Sequence, residues 1–272
     1  MHLKRWLTSL VAIPILAAFI YKAPPGFFAG FVGLLTVIAL WEYYRIVYNQ
    51  IKPAVGLLIP IWGGAVGLLL LFAAYAGAWD LIPELIIVNT LGAAFFSLPR
   101  FKIHTGVVEV VSKEIQGLIY IPLALSTLIL LRMEPNGVRW IFFLVFVVFA
   151  GDVGAFYAGR FFGRHKLNPA ISPGKTVEGA LGGILANIVV GYGFMLLFLP
   201  HLPPAGCLLF FVAVGAAGQA GDLFESEFKR VQQIKDSGTI LPGHGGLLDR
   251  IDALLFAAPT AYLLKTHVLV LF

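Results

Sequence analysis

Six of the 14 acidic residues in this 272-residue chain fall between Gly221 and Asp252: Asp222, Glu225, Glu227, Asp236, Asp249 and Asp252. Gln219, Asp222, Glu225, Ser226 and Lys229 recur at spacings of three and four. On a helix that spacing makes one polar stripe. The stripe closes a long apolar run, and ionisable groups in hydrocarbon are costly enough to mark a cavity, an ion path or a catalytic site. A plainer reading is a helix end reaching into the headgroups, with Asp222, Glu225 and Lys229 pairing among themselves. It leaves the next segment unexplained.

That segment reads Lys229-Arg230, then Lys235-Asp236-Ser237-Gly238, Pro242-Gly243-His244-Gly245-Gly246 and Asp249-Arg250-Ile251-Asp252. Each part suits polyphosphate chemistry. Gly245 and Gly246 let backbone N–H groups approach phosphate oxygens, and Lys229, Arg230, Lys235 and Arg250 supply charge-assisted donors. Asp222, Asp249 and Asp252 offer hard carboxylate oxygens to magnesium, which takes one or two carboxylates and completes its shell with water and substrate phosphate. Asp249 and Asp252 are three apart at a helix start and share a face. An Asp at a helix start is also a common cap, and His244 alone reads equally well as a hydrogen-bonding or a catalytic group.

The elements that must position these residues are membrane helices. The chain is 59% hydrophobic and 12% charged, with a mean hydropathy of +0.90, whereas soluble domains carry about 25% charged residues. Runs of roughly 20 apolar residues predict nine spans, at 6–22, 26–47, 54–76, 80–98, 116–132, 139–162, 176–200, 204–228 and 251–270. The fold class is therefore all-α, a polytopic helical membrane protein. The N-terminal helices (1–132) and the C-terminal helices with the catalytic loops (133–272) form one integral unit. No sustained period-two pattern supports a barrel. The first span follows Lys4 and Arg5 like a signal peptide, but the spans behind it favour a retained helix.

With a cytoplasmic N-terminus, every one of the 19 Lys and Arg except Lys22, Arg132, Arg139 and Lys265 falls on the cytoplasmic side. This is a strong positive-inside bias. The net charge of +5 accordingly reads as topology and attraction to phosphate or anionic lipid, and no nucleic-acid partner is expected. Cys207, the single cysteine, excludes a disulfide framework. Glu42 and Arg45 can pair at i, i+3 beside Trp41, Tyr43 and Tyr44, an aromatic belt at the cytoplasmic interface.

A second block runs from Gly151-Asp152-Val153-Gly154 through Gly159-Arg160 to Ser172-Pro173-Gly174-Lys175-Thr176-Val177-Glu178-Gly179. Lys175 can meet a phosphate while the following helix presents free N–H groups and its positive dipole end. Ser172 or Thr176 as a cap and Glu178 in the first turn would need no ligand, though capping and binding are compatible. Asp152 has two readings, an approach to the metal site and an internal pair with Arg160.

From Ser226 to Asp252 the string resembles the signature of the CDP-diacylglycerol synthase (phosphatidate cytidylyltransferase) family. Ser226, Lys229, Arg230, Lys235, Asp236, Gly238, Pro242, His244, Gly245, Gly246, Asp249, Arg250 and Asp252 stand at its fixed positions, with Phe228, Leu241, Leu247 and Ile251 at its apolar ones. The Ser172 to Gly179 block is similar to the family's second common region. The resemblance implies transfer of CMP from CTP to phosphatidate, giving CDP-diacylglycerol and pyrophosphate in phospholipid synthesis. It makes Lys235, Asp236, His244 and Arg250 catalytic candidates. Ser172, Lys175, Thr176, Glu178, Ser226, Lys229, Arg230, Gly245 and Gly246 are the substrate-binding candidates, and Asp222, Asp249 and Asp252 the candidates for Mg2+, with room for a second metal ion. CTP, phosphatidate and the bilayer are the expected partners, and a homodimer is compatible. The expected location is a bacterial inner membrane with the site and N-terminus cytoplasmic. The rivals are a CTP-dependent polyprenol kinase, which lacks the full signature, and an ion-coupled transporter, whose acids would line a path rather than gather at one face.

Overall fold

Pro24 and Pro25 open the first long helix, where a missing N–H and a fixed φ are tolerated. The computed structural model describes residues 13–49, 51, 55–102, 106–238, 240 and 245–269. A short apolar helix, α1 (Ile13–Lys22), precedes α2 (Pro25–Val47). Then come α3 (Leu58–Ala76), closed by Gly77 at φ 72°, and α4 (Leu81–Ser97). Next, α5 (Val107–Leu118) and α6 (Ala124–Met133) are joined by a π-helical turn, Ile119–Leu123, that contains Pro122. A proline removes a helical hydrogen bond, and a π turn absorbs the defect without ending the span. The chain continues through α7 (Gly137–Phe162), α8 (Val177–Phe198), α9 (Pro204–Val231) and α10 (Leu248–Leu263), the last ending in a π turn at Leu264–Val268.

Among the described residues, seven helices are long and apolar enough to cross a membrane: Pro25–Val47, Leu58–Ala76, Leu81–Arg100, Val108–Met133, Gly137–Phe162, Val177–Phe198 and Pro204–Val231. The protein is a polytopic helical membrane protein. Seven of the nine expected spans are these helices. The two terminal ones are not among the seven: the first is the short α1 where described, and the last is α10 with its π turn, Leu248 to Val268. The span expected at 116–132 starts earlier, because Glu109 and Lys113 pair along its exposed face at 2.6 Å while the helix continues through them. Between α7 and α8 lies a feature the sequence reading did not anticipate, an antiparallel hairpin of β1 (Lys166–Asn168) and β2 (Ser172–Thr176).

The chain forms two compact units, Met1–Met133 with Val231–Arg250 and Glu134–Arg230 with Ile251–Phe272. In the first, α3 packs against α2, α4, α5 and α6, around Val66, Leu70 and Leu118. Its polar centre is Glu114, fully buried, which accepts hydrogen bonds from Tyr44 at 2.6 Å and Tyr48 at 2.9 Å. In the second, α7 and α8 cross through small residues. A Cβ on Gly154 would meet Ala186, one on Gly182 would meet Ala158, and one on Gly183 would lie 2.8 Å from the Gly151 carbonyl oxygen. Backbones this close are the packing that small residues permit in membrane helices. On α9, Gly221 likewise lets the α10 backbone approach at Asp252.

Candidate active site

The close α7–α8 crossing places both helix ends beside α9. Within the second unit they enclose a cavity of about 560 Å³ lined by Asp152, Arg160, Lys175, Thr176, Gln219 and Asp222 among others. Lys175 Nζ lies 2.7 Å from Asp222 Oδ2, each side chain about a third exposed. The two polar blocks of the sequence meet at this pair. Asp152 is within electrostatic range of Asp222 and Lys175. Asp252 is within range of Asp222, Lys229 and Asp152. Of the two readings of Asp152, the approach to Asp222 is the one the geometry favours.

The hairpin that delivers Lys175 is held from several sides. Thr176 caps α8, its Oγ1 accepting from Gly179 N at 3.1 Å. The Glu178 carboxylate accepts from Arg164 N at 3.0 Å and His165 N at 3.2 Å, and meets His165 Nδ1 at 2.6 Å. Arg230 Nε donates to the Ile171 carbonyl at 2.9 Å, and Lys166 Nζ to that of Pro173 at 2.7 Å. Ser172 opens β2 opposite Asn168. Thr176, Glu178 and Arg230 therefore shape the hairpin, and Lys175, with Arg160, brings positive charge to the cavity. Around Gly174 the space is open.

Along α9 the stripe divides its partners. Gln219 Nε2 donates to the Ala180 carbonyl at 3.0 Å, Asp222 takes Lys175, and the fully buried Glu225 pairs with Lys229 one turn on. Ser226 is buried beside them. The pairing reading thus holds for Glu225 with Lys229 but not for Asp222.

In the first unit, Lys235 and Asp236 are exposed, whereas Ser237 is buried. Asp249 Oδ2 accepts from Ser237 N at 3.0 Å and Gly246 N at 2.8 Å, closing the loop across its two ends. Gly245 has φ 85°, which favours glycine. Arg250 is exposed at the start of α10. His244, like Pro242 and Leu241 of the signature and Lys4, Arg5 and Lys52 of the charge pattern, lies outside the described residues.

The expected Glu42–Arg45 pairing is corrected by the geometry. Arg45 sits over the Trp41 ring, 4.8 Å from its centroid. Glu42 is fully buried and turns to the loop: it accepts from Leu248 N at 2.8 Å, Leu247 N at 3.0 Å and Ser237 Oγ at 3.1 Å. A carboxylate at the interfacial end of an apolar helix in a charge-poor chain was the available signal. The Gly246, Leu247 and Leu248 N–H groups thus donate to protein carboxylates.

Among the described residues, no three His, Cys, Asp or Glu side chains form a ready-made metal site. A magnesium ion that takes one or two carboxylates and completes its shell from substrate phosphate fits Asp222 with its acidic neighbours.

Residues 3–268 match the sequence profile of the cytidylyltransferase family. A phosphatidate cytidylyltransferase of Staphylococcus saprophyticus is 33% identical over 265 residues, 97% of this chain and 99% of that protein. One from Staphylococcus aureus is 32% identical over 262 residues, 94% of this chain and 95% of that protein. A Bacillus subtilis protein of the same description is 43% identical over 147 residues, 54% of this chain. The chain spans about half the length of the Bacillus relative, 55%.

Proposed function

Because the chain belongs to the cytidylyltransferase family, we propose that it transfers CMP from CTP to phosphatidate, releasing pyrophosphate and leaving CDP-diacylglycerol in the bilayer. The observation that carries this reading is the Lys175–Asp222 pair at 2.7 Å. It sets a cation and a hard anion side by side in a cavity open enough for phosphate groups, where the Ser172 to Gly179 block meets the polar stripe that leads into the signature.

The phosphate of phosphatidate attacks the α-phosphorus of CTP in line. The oxygen bridging the α- and β-phosphates leaves with pyrophosphate. A phosphate monoester has a second pKa near 6, so the nucleophile is already largely ionised and needs no general base. The obstacle is repulsion between two polyanions and charge growing on the leaving group. Lys175 supplies fixed positive charge against both in the cavity, and Lys229, Arg230, Lys235 and Arg250 are the further basic residues that the signature offers. In the second unit Asp222 and Asp252 would hold Mg2+, whose chemistry is to neutralise phosphate oxygens, and the signature offers Asp249 as a further candidate for that ion or a second one. Gly245 and Gly246 let the loop turn tightly past carboxylates, and Asp236 and His244 complete the signature. The diacyl tails stay in lipid, and the positive-inside pattern supports a site on the cytoplasmic side, where CTP is present; the bacterial relatives support a bacterial cell membrane as the location.

The test is a product assay with the purified chain in lipid nanodiscs, supplied with magnesium, CTP and phosphatidate. Pyrophosphate and CDP-diacylglycerol are expected in equal amounts. CDP with a phosphorylated lipid alcohol would instead identify a kinase and overturn the reading.

A further inference from the structure

A carboxylate is costly to bury, yet Glu42 lies wholly inside the first unit. Its charge is balanced by three donors, Ser237 Oγ–H and the N–H groups of Leu247 and Leu248. The two N–H groups belong to the start of α10, where they have no partner within the helix and where the dipole favours an anion. The same carboxylate touches both ends of the signature loop. A Cβ on Gly246 would lie 2.6 Å from Glu42 Oε2, and one on Gly238 would collide with Oε1. Glu42 therefore packs against two glycines of the loop, with Ser237 Oγ nearer still to Gly246. Asp249 bonds the backbone at the same two ends, through Ser237 N and Gly246 N.

We propose that Glu42 is a positioning residue for CMP transfer: through Ser237, Leu247 and Leu248 it clamps the signature loop and the first turn of α10, and so fixes the orientation of Asp249. Glu42 touches no substrate. It acts through the backbone that Asp249 also grips, as the hydrogen-bonded groups behind a metal-ligating carboxylate do. The proposal rests on the cytidylyltransferase reading.

Glu42→Gln preserves shape but turns one acceptor into a donor facing a donor. With the full chain in nanodiscs, it should lower the saturated rate about 10–100-fold, the range for loss of such a supporting partner, and raise the magnesium concentration for half-maximal rate. Hydrogen exchange at Ser237, Gly238, Leu247 and Leu248 should quicken, a readout independent of turnover. Ser237→Ala, which deletes one bond and leaves Glu42, should shift all three in the same direction by less. Glu114→Gln is the control: it removes a buried carboxylate from the same unit that bonds Tyr44 of α2 and Tyr48 just beyond it but not the loop. It should leave loop exchange and magnesium requirement unchanged. If Glu42→Gln stays folded with wild-type exchange and magnesium dependence, the proposal is wrong. It is equally wrong if Glu114→Gln reproduces the effect. Should Glu42→Gln fail to fold, Ser237→Ala decides by the same readouts. A wild type that transfers no CMP overturns the underlying reading and this one with it, whereas an active wild type matched by Glu42→Gln overturns this one alone.

Discussion

Lys175 on the β-hairpin and Asp222 on α9 stand 2.7 Å apart, nitrogen to oxygen, in the lining of the second unit's cavity. A partly exposed ion pair stabilises a fold by only about 0–1 kcal/mol, so its place in a membrane protein calls for another reason. Lys175→Gln should leave thermal unfolding in detergent almost unchanged while lowering kcat/KM about 10²–10³-fold, the cost of one lost electrostatic contact in a transition state. The charge-reversed double variant, Lys175→Asp with Asp222→Lys, restores a bridge but not the polarity. Recovery of activity in it would show that the bridge matters only as a brace.

The metal reading makes a separate claim about Asp222 and Asp249. Asn keeps the shape of Asp and removes the charge. Asp222→Asn and Asp249→Asn should each cost at least about 10²-fold in initial rate at any magnesium concentration. Mn2+ binding followed by electron paramagnetic resonance should weaken in parallel. Near-normal rates at low magnesium from both folded variants would remove these residues from the metal site.

The α7–α8 crossing predicts where added atoms are tolerated. Gly154→Ala drives a methyl group into Ala186 and against the Gly182 carbonyl oxygen at 2.9 Å, and Gly182→Ala drives one into Ala158. Overpacking of this kind costs about 1–3 kcal/mol. Gly193→Ala, with nothing within 4 Å of the new atom, should be neutral or gain up to about 1 kcal/mol from helix propensity. Denaturation midpoints in one detergent order the three variants. A Gly154→Ala protein as stable as wild type would mean that the helices are farther apart.

The spans were legible because hydrocarbon imposes a length and a composition, and Asp222 and Lys175 were legible because charge in such a chain is conspicuous. Their pairing was not. The two residues belong to separate polar blocks, and no local rule joins a hairpin to a helix end. Glu42 was harder still, since 195 residues separate it from Ser237 and a nearer cation, Arg45, offered a local partner that Trp41 takes instead. The hairpin escaped because strands of three and five residues are too short to show an alternating pattern.

Orientation is open to direct measurement at the two ends of α7. Gly174 follows that helix on the hairpin and has open space around it, while Pro135 precedes it and is exposed. Helix α7 is long and apolar enough to span the bilayer, so the two positions should lie on opposite sides. The distribution of Lys and Arg predicts that Gly174, near Arg160, Arg164 and Lys166, is on the cytoplasmic side. Cys207 is fully buried and should be silent to an impermeant thiol reagent, and Cys207→Ser removes it as a concern. In that background, Gly174→Cys should be labelled only in inverted vesicles and Pro135→Cys only in intact cells. Labelling of position 174 from outside would put Lys175 and Asp222 on the face that CTP does not reach. The orientation would then be wrong, and the cavity could not be the site of a reaction fed from the cytoplasm.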